Sequence, residues 1–294
     1  MLIIDHLLTL NLTNSEKIAR EYILKNHSRI HNMTLSEVAH ESFTSESTFI
    51  RLAKKLGLSG WVELRAKLTK ECHILKLEGQ TINANMPFDE TNSFEETIKQ
   101  VSQLKISTIT DTVELMNTPN FETIIKKIYQ SSEILIFANS INIQLLEDFA
   151  FKMRRLGTTT RVSNIHAEQL HDAQNIRKEG IAIFVSYSGY FDRLNHVIDI
   201  LKNKNIPILA ITNIGGNYLS SRADYHLYIS TRESLYAKVA NFSTSTSIMH
   251  IMDLIYSCIY SLNYEKNMEH VIYTEKHFSN RKLDTHIVDN GLIS

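Results

Sequence analysis

The sequence has little that would cross-link, chelate or anchor it. Only two cysteines occur in 294 residues, Cys72 and Cys258. They stand far apart without a CxxC partner, so neither a disulfide framework nor a thiolate metal site is expected. No apolar run approaches the roughly 20 residues that a membrane span requires. The N-terminus, MLIIDHLLTL, lacks a basic n-region and carries Asp5 and His6 inside its apolar run. It is therefore read as an amphipathic helix rather than a signal peptide, in a cytoplasmic protein with no membrane association. The thirteen histidines are scattered, and His166 and His171 miss the i, i+4 spacing of a helical zinc site. No metal or cofactor is expected. An excess of one charge is missing too, since the formal net charge is −1. What is present is 43% hydrophobic residues with 21% charged ones, enough to fill more than one core.

Against that near-neutral background, Thr34–Trp61 is distinctive. Thr34 and Glu37 make a capping box, and Leu35, Val38 and Ala39 follow at i, i+3, i+4. The hydroxyl-rich Ser42–Ser45 breaks the pattern, and a second helix then turns Phe49, Leu52, Ala53 and Leu56 inward before Gly57 stops it. Outside it leaves Ser45, Ser47, Thr48, Arg51, Lys54 and Lys55. Small hydroxyls and an arginine at the start of a second helix suit base-edge and phosphate contacts. Over Phe43–Lys70 the net charge is +4, which favours phosphates. A solvated helix face is the alternative for such a charge run.

Thr13 and Glu16 form another capping box, opening a helix with Ile18, Ala19, Tyr22 and Ile23 on its buried side. A helix after Gly60–Trp61 completes a helical unit over 1–77. Residues 78–92, with Gly79, Pro87 and several asparagines, read as a linker. Ser93 with Glu96 then caps a helix reaching about Met116, and Pro119 starts another. From Glu133 short aliphatic runs alternate with helices: strands at 134–138, 159–162, 181–186, 208–212 and 225–229, helices at 144–156, 167–176 and 191–202, and a long apolar helix at 237–260. Continuous aliphatic strands separated by helices indicate a mostly parallel sheet covered on both faces, occupying 93–280 before a tail at 281–294.

Such a sheet binds ligands beyond the carboxyl ends of its strands. Ser186-Tyr-Ser188-Gly189 follows one strand and precedes a helix, a composition suited to cradling phosphate. Ser140 and Asn142 follow another strand, and Thr212 and Asn213 end a third, so polar groups converge on one pocket. Glu233, between the last strand and the long helix, admits two readings: an acceptor for sugar hydroxyls, or a helix-start carboxylate.

Two sets of segments resemble a known family. LTNSEKIAREYIL and SEVAHESFTSESTFIRLAKKLGLSGWVELR, with EDFAFKMRRLG, FVSYSGYFDRL and ILAITNIGGNYLSSRADYHLYIS, are similar to the RpiR-type bacterial regulators. These join an N-terminal helix-turn-helix domain to a C-terminal sugar isomerase (SIS) domain. The family's recognition-helix pattern falls on Ser45, Thr48, Arg51, Lys55, Leu56, Gly57 and Trp61. Its phosphate-loop serines fall on Ser186 and Ser188, and its ligand-side glutamate on Glu233. Three positions depart: Phe43 replaces a turn glycine, Ala138-Asn-Ser140-Ile-Asn142 replaces Gly-x-Gly-x-Ser, and Phe191 replaces a threonine. The last two put side chains where the family's backbone would approach a phosphosugar.

The resemblance implies a helix-turn-helix bundle joined to a SIS-like α/β domain, acting as a homodimer or homotetramer. Its partners would be double-stranded operator DNA and a phosphorylated sugar effector, and it would have no catalytic residue. Two other readings stay open: a regulator whose altered SIS domain serves only for dimerisation, and a sugar-phosphate isomerase with an appended helical domain.

Overall fold

The computed structural model describes residues 3, 7, 10, 12–26, 29–30, 33–76, 82–139, 141–165 and 167–278. Ser140, His166, the first part of the linker, most of the N-terminal apolar run and the tail lie outside them.

Four helices build the N-terminal unit: α1 (Asn14–Asn26), α2 (Leu35–Glu41), α3 (Glu46–Lys55) and α4 (Trp61–Lys76). The Thr34 hydroxyl accepts from the Glu37 amide at 3.3 Å and the Glu37 carboxylate accepts from the Thr34 amide at 2.7 Å, closing the expected box at the start of α2. Val38, Ala39, Phe49, Leu52, Leu56 and Trp61 are all buried, and the Phe49 and Trp61 rings meet edge to face at 5.4 Å. The buried side of α1 differs from expectation. Ala19 and Ile23 point inward, but Ile18 is half exposed, because the stripe runs through Glu16 instead. Tyr22 is half-buried and donates to Glu41 at 2.6 Å. Burial, reinforced by that carboxylate, pushes its phenol up to about 12.

Glu16 is almost wholly buried, and it holds the unit together. It accepts from the Thr13 amide at 2.8 Å and from the Lys55 ammonium at 2.7 Å, so one carboxylate caps α1 and ties the end of α3 to it. The Lys55 hydrogen bond holds the carboxyl below its usual range, outweighing the opposing effect of burial.

Two helices, α5 (Phe94–Met116) and α6 (Phe121–Tyr129), lead into the second unit. There follow β1 (Glu133–Ala138), α7 (Ile141–Arg155), β2 (Thr159–Ser163), α8 (Gln169–Asn175), β3 (Ile181–Val185), α9 (Leu194–Asn203), β4 (Ile208–Thr212), α10 (Tyr218–Arg222), β5 (Tyr225–Tyr228), α11 (Phe242–Ser261) and α12 (Tyr264–Phe278). The five strands are all parallel, in the order β2-β1-β3-β4-β5. Alternate residues of each central strand feed two cores. Ile134 and Ile136 pack with α5, α6, α7 and α11 on one face, whereas Leu135 and Phe137 pack with α8, α9 and α10 on the other. This double coverage is why the strands read as unbroken aliphatic runs. The α5–α11 contact is polar at its centre: Thr108 meets Ser243 at 2.9 Å, and one turn on Thr112 meets Ser247 at 2.8 Å, all buried.

Several boundaries shift. α7 begins at Ile141, so Asn142 sits in a helical first turn rather than a loop. α9 begins at Leu194 and α11 at Phe242, each later than the apolar pattern suggests, because Phe191 and the residues before Phe242 are used in loops. The short α10 is unforeseen; a capping box between Asn217 and Ser220 starts it.

Lys55→Met leaves the Glu16 carboxylate buried without its cation and should cost about 1–3 kcal/mol in chemical denaturation. Glu16 is held at a lower pKa when folded, so its contribution is complete above the usual glutamate range and is lost as pH falls through the folded value. The gap between wild type and Glu16→Gln should therefore close on acidification.

Candidate functional site

There are two candidate sites, one on α3 and one beyond the carboxyl ends of the sheet. On α3 the inward residues Phe49, Leu52 and Ala53 fix the helix, and its opposite side carries exposed Ser45, Ser47, Arg51 and Lys54. Thr48 does not belong to that exposed set. It is buried, and its hydroxyl lies 2.9 Å from that of Ser45, which also touches Ser47 at 2.8 Å. Thr48 thus orients Ser45 from beneath, because position 48 falls on the inward edge of the helix. Arg51 leans back on the Thr48 hydroxyl at 3.5 Å. Lys55, 39% exposed along its side chain, is engaged by Glu16. The exposed polar and basic side of α3 is therefore Ser45, Ser47, Arg51 and Lys54, with Lys55 at its border.

The strand order reverses between β1 and β3, which places the topological switch point at their carboxyl ends. Asn139 and the first turn of α7, with Asn142, lie at one side, and Ser186–Gly189 at the other. Ser186 and Ser188 both donate to the carbonyl of Tyr190, at 3.1 and 3.2 Å, so the loop is closed on itself. Gly189 has φ +68°, and a Cβ there would stand 2.0 Å from the Asn217 side-chain oxygen. The close approach this glycine allows is thus made by Asn217. Asn217 also donates to Thr212 and Asn213 at 3.1 Å each. Those two residues, expected to line the pocket, instead knit the end of β4 to the start of α10. Phe191 leaves the cleft altogether, being buried and stacked on Phe184 at 6.1 Å.

Glu233 is engaged at the start of α11. Its carboxylate accepts from the amides of Ser243 and Thr244 and from the Thr244 hydroxyl at 2.7 Å, capping α11 from a distance. Lys238 reaches it at 3.3 Å while lying over the Tyr187 ring, 5.5 Å from the centroid. Tyr187 donates to the Glu233 carbonyl at 2.6 Å. Neighbouring Arg232 forms a buried ion pair with Asp111 of α5, which also accepts from Ser230 at 3.1 Å. Sequence reasoning missed Asn85. Its side chain accepts from the Ser234 amide at 2.6 Å and its carbonyl from the Val239 amide at 2.8 Å. Phe88 meets Phe242 edge to face at 6.2 Å. Through Asn85 and Phe88, residues 82–92 thus lie as a strap against the segment that carries Glu233 and Lys238 and the start of α11. A contact across 149 residues leaves no local signal. The capping pattern from Asn217 to Ser220 is the one cue that could have been read.

Comparisons with known proteins agree with this architecture. Residues 6–73 match the helix-turn-helix domain of the rpiR family, and residues 127–257 match the SIS domain. An HTH-type transcriptional regulator of Caldanaerobacter subterraneus is 22% identical over 275 residues, covering 93% of this chain and 95% of the relative. Another, from Haemophilus influenzae, is 25% identical over 254 residues, covering 85% and 86%. Among solved structures, the Vibrio vulnificus NanR protein complexed with ManNAc-6P superposes with a TM-score of 0.57 at 18% identity, over 94% of this chain and 97% of that one. The sugar isomerase domain of an RpiR transcription factor from Sphaerobacter thermophilus gives 0.53 at 15% identity, over 61% and 98%.

Gly189→Ala combines a left-handed backbone with a clash against Asn217, and should destabilise the α/β unit by about 2–4 kcal/mol in thermal or chemical denaturation. An Asn217→Ala background should recover part of that loss by removing the obstructing side chain.

Proposed function

We propose, for a chain that belongs to the RpiR-type transcriptional regulators by its rpiR-family helix-turn-helix domain and following SIS domain, that it is a cytoplasmic regulator of sugar metabolism. In this reading α3 enters the major groove of an operator, and a phosphorylated sugar occupies the β1/β3 cleft. A two-fold dimer or tetramer would present paired α3 helices to a pseudo-palindrome. The observation that carries the DNA half is the division of α3: a side locked into the core by Phe49, Leu52 and Ala53, and an opposite side bearing hydroxyls, Arg51 and Lys54. Support for the sensor half comes from polar loops at the switch point and from the phosphosugar held by the structurally similar NanR protein.

Coupling follows from the strap. Asn85 grips the chain at Ser234 and Val239, and Glu233 and Lys238, each adjacent to one of these points, meet Tyr187 of the loop after β3. An anionic ligand beside Tyr187 competes with Glu233 for Lys238. It thereby favours one placement of the strap, and of the helical unit before it, over another. Such a ligand shifts DNA binding only to the extent that it binds the two placements unequally.

A second reading has an observation of its own. The hydroxyls of Ser186 and Ser188 and the carboxylate of Glu233 are all engaged by the chain itself. That is the state expected of a SIS domain retained only for dimerisation. An isomerase is disfavoured on the same ground, since proton transfer next to a carbonyl needs a free, positioned base and the Glu233 carboxylate is committed to α11.

Two measurements decide. On a duplex selected by the wild-type protein from a random pool, Arg51→Ala should cost about 1–3 kcal/mol of affinity and reduce the salt slope by about one. Unchanged binding and slope would refute the assignment of α3. In a thermal-shift screen of hexose and pentose phosphates, at least one should stabilise the protein by mass action, and Ser186→Ala/Ser188→Ala should abolish the shift. No stabilising sugar phosphate would favour the dimerisation-only reading.

A further inference from the structure

The turn between α2 and α3 holds an unusual residue for its conformation. The Phe43 amide donates to the His40 carbonyl at 3.2 Å, and the Thr44 amide to the Ala39 carbonyl at 3.0 Å. This pair of bonds is a Schellman motif, whose penultimate position requires a left-handed backbone and ordinarily takes glycine. Phe43 accordingly sits at φ +54°. The chain builds the same motif again at the end of α3. There the Gly57 amide donates to Lys54 and the Leu58 amide to Ala53, both at 3.0 Å, and Gly57 supplies φ +76°. Two like turns bracket one helix, one solved with glycine and the other with a bulky aromatic.

Among the described residues, no contact offsets the cost at Phe43. A left-handed aromatic is sterically strained, and its ring is 95% exposed, so no burial compensates. The turn does not need the ring, because its hydrogen bonds and those of Ser42 with Ala39 and Thr44 use none of it. The position is also particular. Phe43 stands two residues before Ser45, at the same end of α3 as Ser47, with Arg51 and Lys54 about two and three turns further along the chain. It thus borders the exposed polar and basic side of α3, within a stretch of net charge +4.

We propose that Phe43 is a DNA-contacting residue, its ring making apolar contact with a thymine methyl or deoxyribose at the margin of the groove that α3 occupies. This rests on the reading of α3 as the recognition helix. Apolar contact to thymine is a recognised route of groove readout. It predicts a signature distinct from that of a basic residue, since a neutral ring displaces no counterion from phosphate.

The test uses the full-length protein and a duplex selected by the wild type from a random pool. Phe43→Gly removes ring and strain together. It should lower affinity roughly tenfold, leave the salt slope unchanged, and leave the unfolding midpoint equal or higher. Phe43→Leu should retain most of the affinity. Wild-type affinity in Phe43→Gly would overturn the proposal, as would a lowered midpoint, which would trace the loss to the fold. A changed sedimentation of the DNA-free variant would assign the ring to a protein partner and overturn it equally. If Arg51→Ala also binds as wild type, the recognition-helix reading itself fails. If only Phe43→Gly does, that reading stands and this one falls.

Discussion

The buried carboxylate of Glu233 is the constraint on which the geometry of the second unit turns. A helix beginning deep in a protein exposes amides that need acceptors, and α11 has no side-chain cap at its own start. Glu233 supplies the acceptor from nine residues upstream of Phe242, answering the amides of Ser243 and Thr244 together. Its position fixes everything attached to it. Its carbonyl receives Tyr187 from the loop after β3, its carboxylate holds Lys238, and the next amide, that of Ser234, is given to Asn85. One carboxylate therefore sets the relation among the cleft, the long helix and the strap.

Beside it, Arg232 and Asp111 secure the same segment to α5, and the Thr108–Ser243 and Thr112–Ser247 pairs secure α5 to α11. These groups are buried and polar, and an interior of this kind is sensitive to geometry. Paired, they specify one arrangement; misaligned, they leave unsatisfied groups that cost more than an apolar contact would lose. The Asp111 oxygen that lacks a hydrogen-bond partner already marks a place where the network is not saturated.

How much of this was legible depended on range. Thr34 with Glu37 and Ser93 with Glu96 announced their helices because a capping box is complete within four residues. The aliphatic runs announced the sheet because both faces are covered. Thr48 was misplaced for a local reason: hydroxyls are common at helix starts, and the pattern alone does not separate one that faces solvent from one that braces its neighbour. Phe191 was misjudged because a residue that replaces a loop threonine need not occupy the loop, and here it joins the core against Phe184. The Asn85–Ser234 and Asp111–Arg232 contacts span 149 and 121 residues, and no periodicity reports them. What the sequence conveyed well was therefore the elements and the identity of their loops. It conveyed poorly what holds those loops.

That difference bears on the proposed sensor role. A pocket whose hydroxyls and carboxylate were free could bind a ligand without breaking internal bonds. Among the described residues at the β1/β3 switch point, the hydroxyls of Ser186 and Ser188 are engaged by Tyr190, and the Glu233 carboxylate by α11 and Lys238. A ligand must then exchange internal bonds for its own, which lowers its apparent affinity by the population of the open state. The same exchange is what gives it unequal affinity for the two states. Moving a switch from one state to the other takes several kcal/mol of such inequality, and a doubly charged phosphate competing for Lys238 is a ligand class able to supply it. On the proposed reading, the self-satisfied loop is the closed state of the switch, and its opening is felt first at the strap through Asn85.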